Sequence, residues 1–168
     1  MENFNYDNNM NTLFKTRYEI ELPIMKLSDT ATLPTRGSDY AAGWDLYADL
    51  KNIGLNEATI APGAVIKISA GVAVALPEGT FGAIYARSGL ATKKGLRPSN
   101  CCGVIDEDYR GPLLVAIRND SKDFQTIIHG ERIAQLVVQP YVPVALKEVT
   151  ELNSTNRGTG GFGSTGTN

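Results

Sequence analysis

Short runs in which apolar and polar residues alternate recur along the chain and predict β-strands. They cover residues 18–25, 65–76, 81–85, 113–117 and 133–144. The apolar spacing typical of an α-helix does not recur over a useful length. Glycine and proline separate the runs, as in Pro62-Gly63 and Gly111-Pro112, and such pairs favour tight turns. The pattern predicts an all-β fold, a sandwich or a jelly roll.

The segments outside these runs predict one short helix and two polar ends. The helix is expected over residues 88–94, with Ser88 as its N-terminal cap. Residues 1–16 are polar and rich in asparagine, which predicts a flexible extension, and residues 17–149 are expected to form the β domain. Residues 150–168 are rich in glycine, serine and threonine, which predicts an arm that is mobile until a ligand binds.

Length and charge limit the classes of function. With 168 residues the chain is expected to form one domain. Its 16 basic and 18 acidic residues include no basic run, so we expect neither polymeric nucleic acid nor an anionic membrane as a partner. Single nucleotides remain possible as ligands. Without a signal-like apolar run or a stretch of membrane-spanning length, the sequence predicts a cytoplasmic protein, or a nuclear or organellar one if the source is eukaryotic.

Cysteine and histidine are too scarce for several kinds of site. Cys101 and Cys102 are adjacent, which suits neither a framework disulfide nor a C-x-x-C redox pair, so both are predicted to be small core residues. His129 is the sole histidine, which argues against a zinc site and a serine triad. Any catalysis is therefore expected to use carboxylates or a hard metal ion.

Residues 103–111 hold three consecutive acids and a tyrosine between two glycines. An EF-hand loop is excluded, because it would place Arg110 at a ligand position and Ile117 where a glutamate is required. Two interpretations stay open. The segment is either a solvated turn or a nucleotide site, in which Asp106 handles water and Tyr109 offers a flat face to a sugar or base.

Two further segments carry groups suited to phosphate or metal chemistry. Asp45 stands between apolar neighbours, where it is either an outward residue of an edge strand or a carboxylate that orients Mg²⁺ through bound water. Arg87, Ser88 and Gly89 combine a guanidinium group, a hydroxyl and an open backbone amide. That combination suits either phosphate oxygens or ordinary helix capping.

The C-terminal part of the chain offers two more candidates. Gln135 is polar among apolar neighbours and needs a partner in the core or a phosphate, while Glu131 and Arg132 are expected to pair with each other. The Gly-x-Gly-x-x-Gly matches near the C-terminus lack the strand and helix of a dinucleotide site. Arg157 and Phe162 instead indicate a flap over phosphates and a base, the alternative being a tail without function.

Taken together, these segments resemble the trimeric deoxyuridine triphosphate nucleotidohydrolases, the dUTPases, over about residues 18–166. The motifs that carry the resemblance are Ala42-Gly43-Trp44-Asp45-Leu46-Tyr47, Arg87-Ser88-Gly89-Leu90-Ala91, residues 103–111, Gly130-Glu131-Arg132-Ile133-Ala134-Gln135 and residues 157–166. Each motif alone is weak evidence, whereas five in this order are highly specific. Trp44 replaces a frequent tyrosine and Ala86 a frequent proline, and neither change removes a functional group.

The resemblance implies a homotrimer of jelly-roll-like subunits with three active sites at subunit interfaces, each completed by the C-terminal arm of a neighbour. It implies hydrolysis of dUTP to dUMP and pyrophosphate, with water attacking the α-phosphorus and Mg²⁺ bound to the triphosphate. Such a reaction keeps uracil out of DNA and supplies dUMP for thymidylate synthesis.

The resemblance also implies a role for each matching residue. Asp106 would activate the water and Tyr109 would pack under the deoxyribose. The residues that would read uracil are Asn100, Gly103, Val104 and Ile105. The residues that would contact phosphates are Arg87, Ser88, Gly89, Gln135 and, for the terminal phosphate, Arg157. Phe162 would cover the base with Gly163 beside it, and Asp45 would face the hydrated Mg²⁺.

Two other functions stay open. A dCTP deaminase shares the fold that the resemblance implies, and release of ammonia from dCTP would identify one. A nucleotide-sensing interaction module would bind dUTP and a protein partner without needing turnover. The intact tyrosine hairpin and glycine-rich arm favour hydrolysis of dUTP over both.

Overall fold

The computed structural model of the protein describes residues 20–161, which form short strands, one α-helix and one 3-10 helix. In chain order these elements are β1 (Ile24–Lys26), β2 (Thr35–Arg36), β3 (Trp44–Tyr47), the 3-10 helix (Lys51–Ile53), β4 (Glu57–Ile60), β5 (Val65–Ser69), β6 (Val72–Val74), β7 (Thr80–Tyr85), α1 (Ser88–Lys94), β8 (Leu96–Pro98), β9 (Gly103–Ile105), β10 (Leu114–Asn119), β11 (Gln125–Ile128) and β12 (Arg132–Pro140). The prediction of an all-β fold with one short helix is confirmed.

Every strand pairing in the described residues is antiparallel. The largest sheet has five strands in the order β2-β3-β12-β7-β9, and a second has three in the order β5-β10-β8. β1 pairs with β6 and β4 with β11. Because side chains alternate across a strand, every second residue of β10 is buried, and these inward residues are Val115, Ile117 and Asn119. They join a core that also contains Leu46, Ile68 and Leu136.

Three of the predicted strand runs differ from the structure in their extent. In the run over 18–25, the described residues before Ile24 form no strand. The run over 65–76 divides into β5 and β6 at Gly71, whose φ of +68° glycine adopts without strain. A side chain there would also meet Asp49 and Ala31. β12 ends at Pro140. The rest of the run over 133–144 forms no strand, and neither do the residues that follow it as far as residue 149. Val142, Val144 and Leu146 keep the alternating pattern but are 75–97 % exposed.

The helix α1 has the predicted range but a different cap. Arg87 occupies the N-cap position with extended backbone angles and makes no side-chain capping hydrogen bond, and Ser88 is the first helical residue. The expectation that Ser88 caps the helix is therefore wrong. The helix ends at Gly95, which has the left-handed conformation common after helices.

The adjacent cysteines do not lie in the core as predicted. Cys101 is exposed and has a φ of +60°, and Cys102 is only partly buried. Both belong to the turn that leads into β9, an edge strand, so little structure lies above them to cover their side chains. Within residues 20–161, no helix has the length and apolar character needed to cross a membrane.

Strand β7 organises the elements that carry the predicted site residues. It lies between β12 and β9, with Tyr85 opposite Gln135 and Ile84 opposite Gly103. Its C-terminal end continues directly into Arg87 and α1. Four of the five motifs described above therefore lie on strands of this sheet or next to one of its strands.

Candidate active site

Asp45 lies inside the five-stranded sheet rather than on an edge strand, because β3 pairs with β2 on one side and β12 on the other. Its residue surface is 8 % exposed. Oδ1 accepts a hydrogen bond from Arg87 Nε over 2.7 Å, and Oδ2 accepts one from Arg132 Nη1 over 3.1 Å. The interpretation of an outward residue on an edge strand is wrong. Asp45 joins two guanidinium groups. Each of these charge-assisted hydrogen bonds is stronger in this shielded position than it would be at an open surface.

Gln135 lies opposite Asp45 on β12 and fixes the backbone just before Arg87. Its Nε2 donates to the carbonyl of Ala86 over 2.9 Å. A Cβ on Gly43 would lie 2.6 Å from Gln135 Oε1, so the amide needs a glycine there. Gly43 belongs to one of the sequence motifs described above. Its close contact with Gln135 connects residues far apart in sequence, and local sequence patterns do not reveal such a contact.

The predicted ion pair between Glu131 and Arg132 does not form. Successive residues of an extended chain point to opposite sides, so the two side chains diverge. Arg132 reaches Asp45, whereas Glu131 Oε1 accepts from Lys94 Nζ over 2.7 Å. Arg132 is thus a candidate site residue that the sequence interpretation missed. The signal available in the sequence was a charged residue at the start of a mostly apolar strand.

Trp44, which replaces a tyrosine common in the family resembled, has a partner of its own. The guanidinium carbon of Arg36 lies 4.8 Å from the centre of the Trp44 ring. That distance suits a cation–π contact, for which tryptophan is the best aromatic residue. The change to tryptophan therefore supports the pairing of β2 with β3 beside Asp45.

The segment over residues 103–111 consists of β9 and the turn that follows it, and it is called the acidic hairpin from here on. β9 pairs with β7 on one side, and no described strand pairs with its other side, so the backbone groups of alternate residues among Gly103, Val104 and Ile105 face outward there. Asn100 is exposed and lies next to Gly103, since a Cβ on that glycine would be 3.5 Å from the asparagine Nδ2. The sheet edge and this amide together offer hydrogen-bond donors and acceptors in one place.

Asp106 and Tyr109 belong to the turn that follows β9. Asp106 is exposed, and its carbonyl accepts from the amide of Tyr109 over 3.1 Å. The Tyr109 hydroxyl donates to the carbonyl of Pro112 over 3.0 Å. A Cβ on Gly111 would lie 2.6 Å from Tyr109 Cζ, so the ring packs directly on a glycine. These contacts hold the ring in one place, and Tyr109 is 39% exposed.

Glu107 connects the acidic hairpin to neighbouring segments of the chain through hydrogen bonds. Its Oε2 accepts from the amide of Gly79 over 2.7 Å and from the hydroxyl of Tyr141 over 3.2 Å. The carboxylate raises the pKa of Tyr141 above its ordinary value, because the hydrogen bond stabilises the protonated phenol. An open cleft of about 750 Å³ lies here, lined by Phe81, Val104, Asp106, Glu107, Asp108 and Tyr141. The sequence interpretation missed Phe81 and Tyr141.

The two groups of site residues lie at opposite ends of β7. Ile105 is opposite Gly82, so Asp106 follows at the level of Phe81, whereas Arg87 lies beyond the other end. At a rise of about 3.3 Å per residue, the backbones of Asp106 and Arg87 are about 20 Å apart. A single chain therefore does not bring the carboxylate of Asp106 to the Arg87 cluster.

Arg157 is the predicted site residue of the C-terminal arm that the structure describes. It is exposed, and its Nε donates to the carbonyl of Gly160 within a local turn over 3.0 Å. Gly158 in this turn has a φ of +51°. Phe162 and Gly163 lie outside the described residues. Within residues 20–161, no group of three or more His, Cys, Asp or Glu stands close enough to hold a metal ion.

Comparisons with known proteins identify the family to which the chain is similar. The family model described as dUTPase matches residues 29–166. The deoxyuridine 5'-triphosphate nucleotidohydrolase of Debaryomyces hansenii is 45% identical over 152 residues, which cover 89% of this chain and 90% of that protein. The human mitochondrial enzyme of the same name is 42% identical over 149 residues, which cover 89% of this chain and 56% of that protein.

Solved structures agree with the sequence matches. A variant dUTPase of Staphylococcus bacteriophage 80alpha with dUpNHpp has a TM-score of 0.75 and 31% identity, covering 87% of this chain and 98% of that one. A variant dUTPase of phage phi11 of S. aureus, described with a structural Mg(II) ion, has a TM-score of 0.70 and 27% identity, covering 80% and 100%. The chain therefore belongs to the dUTPases.

Proposed function

We propose that the chain hydrolyses dUTP to dUMP and pyrophosphate, with water attacking the α-phosphorus. The observation that carries the proposal is the family match over residues 29–166, which spans all five motifs. The family performs this reaction, and relatives over 40% identical bear its name. Hydrolysis of dUTP keeps uracil out of DNA and supplies dUMP for thymidylate synthesis.

The free edge of β9 selects the base. Alternate residues of β9, which consists of Gly103, Val104 and Ile105, present backbone donors and acceptors at this edge, with Asn100 beside them. Cytosine reverses the donor and acceptor that uracil offers, and unpaired polar groups at such a site support rejection of up to about 10⁴-fold. Thymine carries an additional methyl group, which a narrow hairpin excludes by overlap.

Asp106 and Tyr109 act on the sugar side of the substrate. The Tyr109 ring, held by Gly111 and Pro112, packs under the deoxyribose and leaves no room for a 2'-hydroxyl. The exposed carboxylate of Asp106 orients the attacking water and accepts its proton. The carboxylate therefore contributes by orienting the water as well as by accepting the proton.

The cluster at the other end of β7 binds the phosphates. Asp45 holds Arg87 through Nε, which leaves the outer nitrogens of the guanidinium group for phosphate oxygens. Ser88, Gly89 and Gln135 line the same place. Arg157 contacts the terminal phosphate, and Phe162 and Gly163 close over the base from the arm.

Mg²⁺ fits this arrangement as an ion that arrives with the triphosphate. Both oxygens of Asp45 already accept from arginines, so a direct bond to the metal would displace a guanidinium group. Contact through bound water suits an ion that gives up its water reluctantly. When bound, Mg²⁺ would neutralise phosphate charge, while Arg87 and Gln135 orient the chain of phosphates.

The active site is completed between subunits of a homotrimer. About 20 Å of β7 separates Asp106 from Arg87 within one protomer, so the hairpin of one chain faces the cluster of another. Exposed apolar side chains after β12 would be buried in such an interface. They include Val142, Val144 and Leu146. The protein acts on free nucleotides in the cytoplasm, with the mitochondrial name of the human relative pointing to organelles as the alternative.

Pyrophosphate release from dUTP, dTTP, dCTP and UTP, each with and without Mg²⁺, tests the proposal. The expected result is release from dUTP alone, and only with Mg²⁺. Ammonia released from dCTP would identify a deaminase instead. Tight binding of dUTP without any turnover would identify a nucleotide-sensing module.

A further inference from the structure

The helix α1 is attached to the turn before β12 at its C-terminal end. There Lys94 Nζ donates to Glu131 Oε1 over 2.7 Å and to the carbonyl of Thr126 over 3.2 Å. The other oxygen of Glu131 accepts from the amide of Ile128 over 3.1 Å. The side chains of Lys94 and Glu131 are 38% and 22% exposed, so the pair is partly shielded from water.

The other end of α1 is attached to the same strand by the next residue. Arg132 contacts Asp45, and Asp45 contacts Arg87 immediately before the helix. Glu131 and Arg132 are consecutive, yet their diverging side chains serve opposite ends of a helix about 10 Å long. The start of β12 therefore holds both ends of α1.

The orientation of α1 depends strongly on these polar contacts. A helix of seven residues is too short to be stable by itself. Leu90 is the one buried residue that α1 contributes to the core. A single apolar anchor near the middle fixes the position of a helix but leaves its direction to contacts at the ends.

We propose that Lys94 and Glu131 are positioning residues for phosphate binding. By fixing the C-terminal end of α1, they set where Arg87, Ser88 and Gly89 stand relative to Gln135. Neither residue touches the substrate. The inference rests on the proposed function, in which those four residues bind the phosphates of dUTP.

Steady-state kinetics of Lys94→Met and Glu131→Gln in the full-length protein test this inference. We expect the KM for dUTP and the inhibition constant of pyrophosphate to rise roughly three- to tenfold, as for loss of a charge-assisted contact. The inhibition constant of deoxyuridine, which lacks phosphates, and kcat should stay within about twofold. Lys94→Arg should restore wild-type values, and the double variant should be no worse than either single one.

Arg118→Met is the matched control, because Arg118 is a similarly exposed cation in an ion pair with Asp120. It should change none of these constants. Melting temperatures identify any variant that fails to fold, and the decision rests on Glu131→Gln, which keeps the shape of the side chain. Unchanged pyrophosphate inhibition in active Glu131→Gln, or equal weakening of pyrophosphate and deoxyuridine, overturns the inference. A wild-type protein that releases no pyrophosphate from dUTP overturns the proposed function first.

Discussion

The two ends of β7 are built from different materials. At the Arg87 end, side chains from β3, from β12 and from the residue before α1 connect through a nearly buried carboxylate and a glutamine. At the Asp106 end, an exposed hairpin is held by backbone hydrogen bonds and by a tyrosine ring that packs on a glycine. The Arg87 end is a network of charged side chains, whereas the Asp106 end is a turn whose shape is set by the backbone.

The difference matches the tasks proposed for each end. Phosphates carry charge and little shape, so a rigid arrangement of guanidinium groups suits them. Uracil and deoxyribose differ from their competitors by one methyl, one hydroxyl or one donor–acceptor exchange, so a fixed backbone outline suits them better. Substitutions at the two ends should therefore fail in different measurements.

Asp106→Asn is expected to have the largest effect. The amide cannot accept the proton of the attacking water, so kcat for dUTP should fall at least about 100-fold. Binding of dUTP should stay within about tenfold, because the carboxylate acts mainly in the transition state. Single-turnover kinetics and calorimetric titration measure the two quantities. Asp108→Asn is the control, and near-normal kcat in Asp106→Asn would contradict the assigned role.

Asp45→Asn should damage the opposite end and the fold together. It removes the negative charge between Arg87 and Arg132, and loss of such a shielded partner costs about 2–3 kcal/mol in the free energy of unfolding. The KM for dUTP should rise more than kcat falls. Urea unfolding of this variant beside Asp120→Asn, which breaks an exposed ion pair, checks the stability claim. Equal losses in both would mean that Asp45 is an ordinary surface charge.

Gly111→Ala should relax the choice of sugar. The new Cβ would lie 2.6 Å from Tyr109 Cζ, so the ring must move. We expect the ratio of kcat/KM for dUTP over UTP to fall about tenfold, with phosphate binding unchanged. Gly37→Ala is the matched control, because no atom lies within 4 Å of its added carbon. A preserved ratio in Gly111→Ala would separate the ring position from selectivity.

Glu107→Gln should give the smallest effect. Without the carboxylate, the pKa of Tyr141 should fall towards its ordinary value, because the charged acceptor that stabilises the phenol is gone. Ultraviolet titration of the variant, with Tyr141→Phe as the reference for the other tyrosines, measures the change. Asp108→Asn should shift the same titration less, since Asp108 acts only through space.

Local patterns predicted the elements better than they predicted the contacts between them. The five alternating runs located β1, β5, β6, β7, β10 and β12, and the predicted helix range was correct, whereas β2, β4, β8 and β11 lie outside every predicted run. The partners of Asp45 lie 42 and 87 residues away, and no local pattern encodes them. The cysteines were expected in the core on their residue type alone, whereas a turn at a sheet edge decided their exposure.

The sequence located the candidate site residues but not their distribution over the fold. Asp106 and Arg87 were expected to serve one reaction, and both are present with neighbours that suit their tasks. That they lie at opposite ends of one strand follows from the antiparallel register of β9 on β7, which a single sequence does not reveal. The roles of Phe162 and Gly163 stay predictions, because both lie outside the described residues.

The separation along β7 has a consequence for inheritance. In the proposed trimer, a chain with a damaged hairpin still carries an intact phosphate cluster, and a chain with a damaged cluster still carries an intact hairpin. Two inactive alleles of these kinds would restore one another when expressed together, whereas two alleles damaged at the same end would not. The gene would then behave as two complementation groups within a single reading frame.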